Sequence, residues 1–188
     1  LPLALIAGLA GDVPMRYRAA EGTIWQGRLL DVYANGISLG TVDIAISASS
    51  LLSGTVRGSL TASGGALSGR GSIAAGLDGR VLLRDVSIAG PLEALPLLLP
   101  IDSSLAMRIE RMTLVDGLCR EAAGRVETGP LSVDSGLGRW QGPPLAGEID
   151  CRDGAIIIEQ NGRSAAGKVA LDLRIDLDNF PRLAGPQK

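Results

Sequence analysis

The sequence predicts an all-β protein made of successive antiparallel hairpins. Apolar residues recur two apart through much of the chain, as strands buried on one face require. Short glycine-bearing turn pairs separate these runs. Helical periodicity is confined to one brief stretch. Glycine supplies 26 of 188 residues, well above the ordinary share of about 7%.

The strands follow in order. Val42, Ile44 and Ile46 face one way, with Thr41, Asp43, Ala45 and Ser47 opposite. Val56, Leu60 and Ala62 continue the pattern against Thr55, Arg57, Ser59 and Thr61. Near the end, Val169, Leu171, Leu173, Ile175 and Leu177 alternate with Lys168, Asp172, Arg174, Asp176 and Asp178. That charged set reads as a solvated strand face, not a cation site, because alternation spreads the carboxylates along a straight strand.

Hairpin turns are expected at Asn35-Gly36, Gly64-Gly65, Asp78-Gly79, Asp153-Gly154 and Asn161-Gly162. These residue pairs tolerate the positive φ of type I′ turns. The apolar phase changes between Leu105-Met107-Ile109 and Met112-Leu114. One extra residue near Glu110-Arg111 would shift the faces, so a β-bulge or strand bend is expected there. Gly58, Gly69, Gly71, Gly124 and Gly167 lie inside strand-like runs, where glycine permits bending or close backbone approach. No phosphate-loop motif is present.

The stretch Pro91–Pro100 carries leucines at 92, 95, 98 and 99. Pro96 and Pro100 limit any helix to a short piece or compact corner. The chain therefore reads as one domain, 1–188, with 91–100 as an internal boundary between two sub-halves. With so little helix to cover an apolar sheet face, a strongly curled, partly closed sheet or a β-sandwich is favoured. A curled sheet would also present an apolar groove for lipid or another hydrophobic ligand.

The composition excludes several chemistries. Histidine is absent, so neither a Ser-His-Asp group nor histidine metal ligands can form. The balance of 18 basic against 20 acidic residues and the scarcity of aromatics argue against nucleic-acid binding. No catalytic, metal or cofactor residues are assigned, because no carboxylate pair is marked out by its spacing. Cys119 and Cys151 are too far apart for a CxxC redox pair. A structural disulfide in an oxidising compartment is the preferred reading, with two buried thiols as the alternative.

Trp25 and Trp140 are each candidates for core packing or for an interface. Trp140 lies beside glycine and proline and is the more exposed of the two by expectation. Leu1–Ala10 is apolar but only about half a membrane span. It reads as a buried first segment or as the boundary after an upstream anchor.

The segment Glu21–Leu29, EGTIWQGRL, resembles the GT-[LIV]-W-x-G-[RK] signature of the type II secretion system protein N family. Ser49-Ser50-Leu51-Leu52-Ser53-Gly54 and the later β cadence through Asp153-Gly154 are similar to that family as well. The resemblance implies a periplasmic β-rich domain on a single-pass inner-membrane anchor. It also implies an assembly or scaffold part in the export of folded proteins across the outer membrane. The partners implied are other secretion components at the inner membrane. Gly22, Thr23, Trp25, Gly27 and Arg28 match the signature and are expected to be structural or interface residues, not catalytic ones.

Overall fold

The computed structural model describes residues 15–34, 36–76, 78–95, 101–135, 138–164 and 167–175. The fold is all-β and antiparallel. Its strands are β1 (Met15–Arg16), β2 (Ala19–Gly22), β3 (Gln26–Ala34), β4 (Ile37–Ile46), β5 (Thr55–Gly64), β6 (Ser68–Gly76) and β7 (Arg80–Pro91). They continue with β8 (Ile101–Asp102), β9 (Ser104–Val115), β10 (Leu118–Thr128), β11 (Leu131–Ser135) and β12 (Gly138–Gly142). The last are β13 (Ala146–Arg152), β14 (Ala155–Ser164) and β15 (Gly167–Ile175). Two 3-10 turns, Ala48–Ser53 and Leu92–Ala94, are the helical elements among the described residues. The second falls inside the expected corner at 91–100, whose residues 96–100 lie outside the described ones.

A 12-stranded sheet runs in the order β1-β3-β4-β5-β6-β7-β9-β10-β13-β14-β15, with β2 also paired to β3. A 3-stranded sheet, β12-β11-β8, stands apart from it. The expected closure is not what the described strands form. The path is open, with β1 and β2 at one edge and β15 at the other. Successive antiparallel neighbours extend the sheet, and among the described residues no ladder joins its two ends.

Strand register sorts the side chains onto two contrasting faces. One unbroken row of paired residues passes through Leu29, Val42, Ala62, Gly69, Ile88, Met107, Val126, Gly147, Gln160 and Leu171. The neighbouring row on the other face passes through Arg28, Asp43, Thr61, Arg70, Ser87, Arg108, Arg125, Glu148, Glu159 and Asp172. Because strand side chains alternate, one residue of offset separates an apolar face from a charged one. The alternations expected at 42–46, 56–62 and 169–175 fall on these faces; Leu177, Asp176 and Asp178 lie outside the described residues.

The apolar face packs at two places. Leu29, Val32, Val42 and Ala62 form one buried cluster. Ile109, Met112, Cys119, Val126, Ile149 and Ile158 form the other. Between them, Val56, Leu60 and Ile73 remain 41%, 44% and 43% exposed. Leu171, Leu173 and Ile175 on the β15 edge are open as well.

The bulge expected near Glu110 is present. Ala123 pairs with Arg111 and Gly124 with Ile109, so Glu110 has no opposite residue on β10. This restores Met112 to the apolar face. A second bulge at Asp31 in β3 has positive φ, and the Asp31 carboxylate takes the guanidinium of Arg18.

The turn expectations hold with one correction. Gly36, Gly64, Gly79 and the Asp153-Gly154 pair all have positive φ. The same signal at Asp116-Gly117 makes the β9–β10 hairpin, with φ of 53° and 79°. Asn161-Gly162, by contrast, lies within β14 and pairs with Ala170 and Val169 of β15. A side chain at Gly162 would collide with the Pro144 carbonyl and with Leu145. Glycine is there for close approach, not for turning.

Cys119 and Cys151 form a disulfide with Cα atoms 5.5 Å apart. It ties the start of β10 to the end of β13, two strands that are neighbours in the sheet.

Candidate functional site

The signature segment builds the β2–β3 connection and the rim of a hollow on the charged face. Gly22 has φ +83°, and a Cβ there would run into the Gln26 carbonyl. Its pairing with Gly27 closes the base of the loop. The Thr23 hydroxyl accepts hydrogen bonds from the backbone N–H groups of Trp25 and Gln26, both at 3.3 Å. The Thr23 N–H in turn donates to the Gln26 carbonyl at 2.9 Å. Trp25 is fixed from its other side, since its carbonyl accepts from the Ile46 N–H at 3.0 Å. These contacts satisfy the loop backbone locally and leave the indole 38% exposed. Arg28 faces Asp43 across β3 and β4 at 2.6 Å. That hydrogen bond, with the charge of Asp43, holds the guanidinium pKa above its ordinary value.

The hollow beside Trp25 has a volume of about 610 Å³. Small residues make its floor. Ala45, Ser59 and Ser72 are successive partners across β4, β5 and β6, and Ala74 lies opposite Arg57 in the next row. Trp25, Arg57, Arg84 and Leu82 stand around this floor. A depression results because short side chains on three adjacent strands are ringed by long ones. The lining includes two arginines and no acidic residue. Neither Arg57 nor Arg84 has an ion-pair partner among the described residues.

Elsewhere on the charged face, Arg70 and Arg108 line a hollow without an acid, and other arginines are paired. Arg111 pairs with Glu121, Arg125 with Glu127, and Arg152 with both Asp150 and Glu159. These pairs are exposed, so they shape the surface potential more than stability. The hollow along β10, β13 and β14 mixes Arg125 and Arg152 with Glu148, Asp150 and Glu159. Beside Asp85 and Glu110 the lining likewise mixes both signs, with Arg70 and Arg108. Among the described residues no three acids or cysteines are grouped as metal ligands.

Trp140 is placed elsewhere. It lies in β12 of the small sheet, 47% exposed, with its ring over Gly142. The adjoining Arg139 pairs with Asp134 and lowers that carboxyl below its usual pKa, chiefly through the hydrogen bond. The structure therefore gathers Gly22, Thr23, Trp25, Gly27 and Arg28 at one end of the large sheet, and Trp140 on a different sheet. Arg57, Arg84 and Leu82 were not marked by the sequence. Each lies in an ordinary β run, and only register brings them to Trp25.

The family model described as "Type II secretion system (T2SS), protein N" matches residues 14–185. The chain belongs to the type II secretion system protein N family. A curated relative, the type II secretion system protein N of Vibrio cholerae serotype O1 (strain ATCC 39315 / El Tor Inaba N16961), is 25% identical over 167 residues. That match covers 85% of this chain and 66% of the relative, so the chain spans a little under two-thirds of the relative's length. No solved structure matches. For this member of the protein N family, each signature residue now has a physical role. Gly22 and Gly27 close a loop, Thr23 holds it, Trp25 faces a hollow and Arg28 ties β3 to β4. No helix among the described residues is long and apolar enough to cross a membrane; β-strand spans are a separate matter.

Proposed function

We propose that this protein N family chain is an assembly and scaffold component at the periplasmic face of a bacterial inner membrane. There it supports type II export of folded proteins across the outer membrane. Its partners are other secretion components at that membrane, and its part is structural, not catalytic. The observation that carries this reading is a broad, open sheet whose β15 edge and apolar patches are left uncovered by the described residues. An uncovered edge presents backbone donors and acceptors to another strand, and an uncovered apolar patch favours a partner surface. The disulfide supports an oxidising compartment.

Crosslinking in native membranes, followed by capture of the anchored full-length protein, tests this reading. Enrichment of inner-membrane secretion components is expected, with crosslinks through β15 or the Val56–Ile73 patch. Capture without any secretion component would sink the assembly role.

A second reading, a lipid or hydrophobic-ligand module, is favoured by one observation. Val56, Leu60 and Ile73 form an open apolar patch in the middle of the sheet. Lipid retained through gentle purification and seen by native mass spectrometry would support it. A ligand-free protein in that measurement would remove it.

A further inference from the structure

Two hollows on the charged face of the large sheet are lined by a pair of arginines without an acid, Arg57 with Arg84 beside Trp25 and Arg70 with Arg108 across β6, β7 and β9, and of the two the first also presents an open indole. Its size, about 610 Å³, falls in the range of small-molecule sites, roughly 300–1,000 Å³. Its lining is largely apolar, with Trp25, Leu82, Ile46, Ile73 and two alanines. Two cations and an open indole on one concave surface call for a ligand with two parts. An anionic oxygen group satisfies guanidinium donors, for which arginine is the better-suited cation. An apolar body covers the indole and leucine, which water solvates poorly.

We propose that this hollow binds an amphiphilic organic anion, with Arg57 and Arg84 holding its phosphate or carboxylate group and Trp25 with Leu82 receiving its apolar portion. The site opens on the face opposite Val56 and Leu60, shares Ile73 of that apolar patch in its lining, and goes beyond the assembly reading. Loss of every crosslink to secretion components would leave it standing. The GTIWQG loop then has a binding task besides a structural one, because it sets the position of the indole at the rim. Neighbouring acids do not compete for the site. Asp43 is engaged by Arg28, and Asp85 and Glu110 line a separate hollow with Arg70 and Arg108.

Trp25 provides the readout. In a Trp140→Phe protein its fluorescence reports on this hollow alone. Titration with monomeric dodecyl phosphate should give a saturable change. Dodecyl maltoside, with the same chain and no charge, should bind at least about tenfold more weakly, as should inorganic phosphate, a contrast of 1.4 kcal/mol or more. Raising salt should weaken the dodecyl phosphate response, as screening of exposed arginines requires. Arg57→Gln with Arg84→Gln should cost at least about tenfold, while Arg163→Gln on β14 should leave binding unchanged. Circular dichroism of each variant establishes that it is folded. Equal binding of the phosphate and the maltoside, or binding that survives the paired arginine change, overturns the proposal. So does the absence of any response. Cosedimentation with phosphatidylglycerol but not phosphatidylcholine vesicles would make a membrane lipid the source of the anion. Binding of the monomer without vesicle binding would make it a soluble amphiphile.

Discussion

Gly22 shows how much a single residue contributes to the signature loop. Its positive φ and its blocked Cβ direction both exclude a side chain. Gly22→Ala must strain the backbone or move Gln26, at a cost of about 1–3 kcal/mol. Arg28→Ala removes only an exposed ion pair and should change stability little. Urea unfolding of the two variants checks this, and equal midpoints would refute the packing account of the loop. The disulfide acts at the same scale by a different route. Closing a 32-residue separation restricts the unfolded chain and contributes about 3–4 kcal/mol on the loop-entropy estimate. Reduction, or Cys119→Ser with Cys151→Ser, should lower the urea midpoint accordingly. An unchanged midpoint would mean that the β10–β13 ladder alone sets the stability of that region.

At the scale of elements, the two edges of the large sheet differ. The β3 edge is covered in two short pieces, β1 and β2, with the backbone crossing between them at Tyr17-Arg18. Interrupted, short strands of this kind discourage further pairing. The β15 edge is a continuous strand from Gly167 to Ile175, without proline, whose described side chains are almost all exposed. Its amides on the outer side lack ladder partners within the described chain, so they should exchange faster than those of β9 and β10 in the isolated protein. Hydrogen exchange by mass spectrometry checks this. Protection of β15 should rise when a partner is added if the edge is where the partner pairs, and slow exchange in the isolated protein would mean the edge is already covered. The β9 bulge belongs to this scale too. Without Glu110 as an extra residue, Met112 and Leu114 would point to the charged face and the larger buried cluster would lose its centre.

For the whole molecule, the consequence of an open topology is division of labour between faces. The apolar face supplies both packed clusters, and the described residues leave a middle strip and one edge uncovered. The opposite face carries paired charges and the arginine-lined hollow. An assembly partner on β15 and a small anionic ligand beside Trp25 therefore have separate surfaces, and the β15 crosslinking and titration experiments can succeed or fail independently.

The sequence by itself determined the strand runs, most hairpin turns, the bulge near Glu110 and the identity of the signature loop. These are local: alternation, Asx-Gly pairs and a short motif act within a few residues, and short-range sterics decide them. Asn161-Gly162 marks the limit of that reasoning, because the same dipeptide that turns a hairpin also permits the close approach of Pro144 to β14. The sequence favoured a Cys119–Cys151 disulfide over two thiols, and strand adjacency supplies the proximity that forms it. Tertiary structure alone decided that the described strands form an open sheet and that Arg57 and Arg84 share a hollow with Trp25. Those outcomes depend on register between strands distant in sequence, where a shift of one residue would send each arginine to the other face.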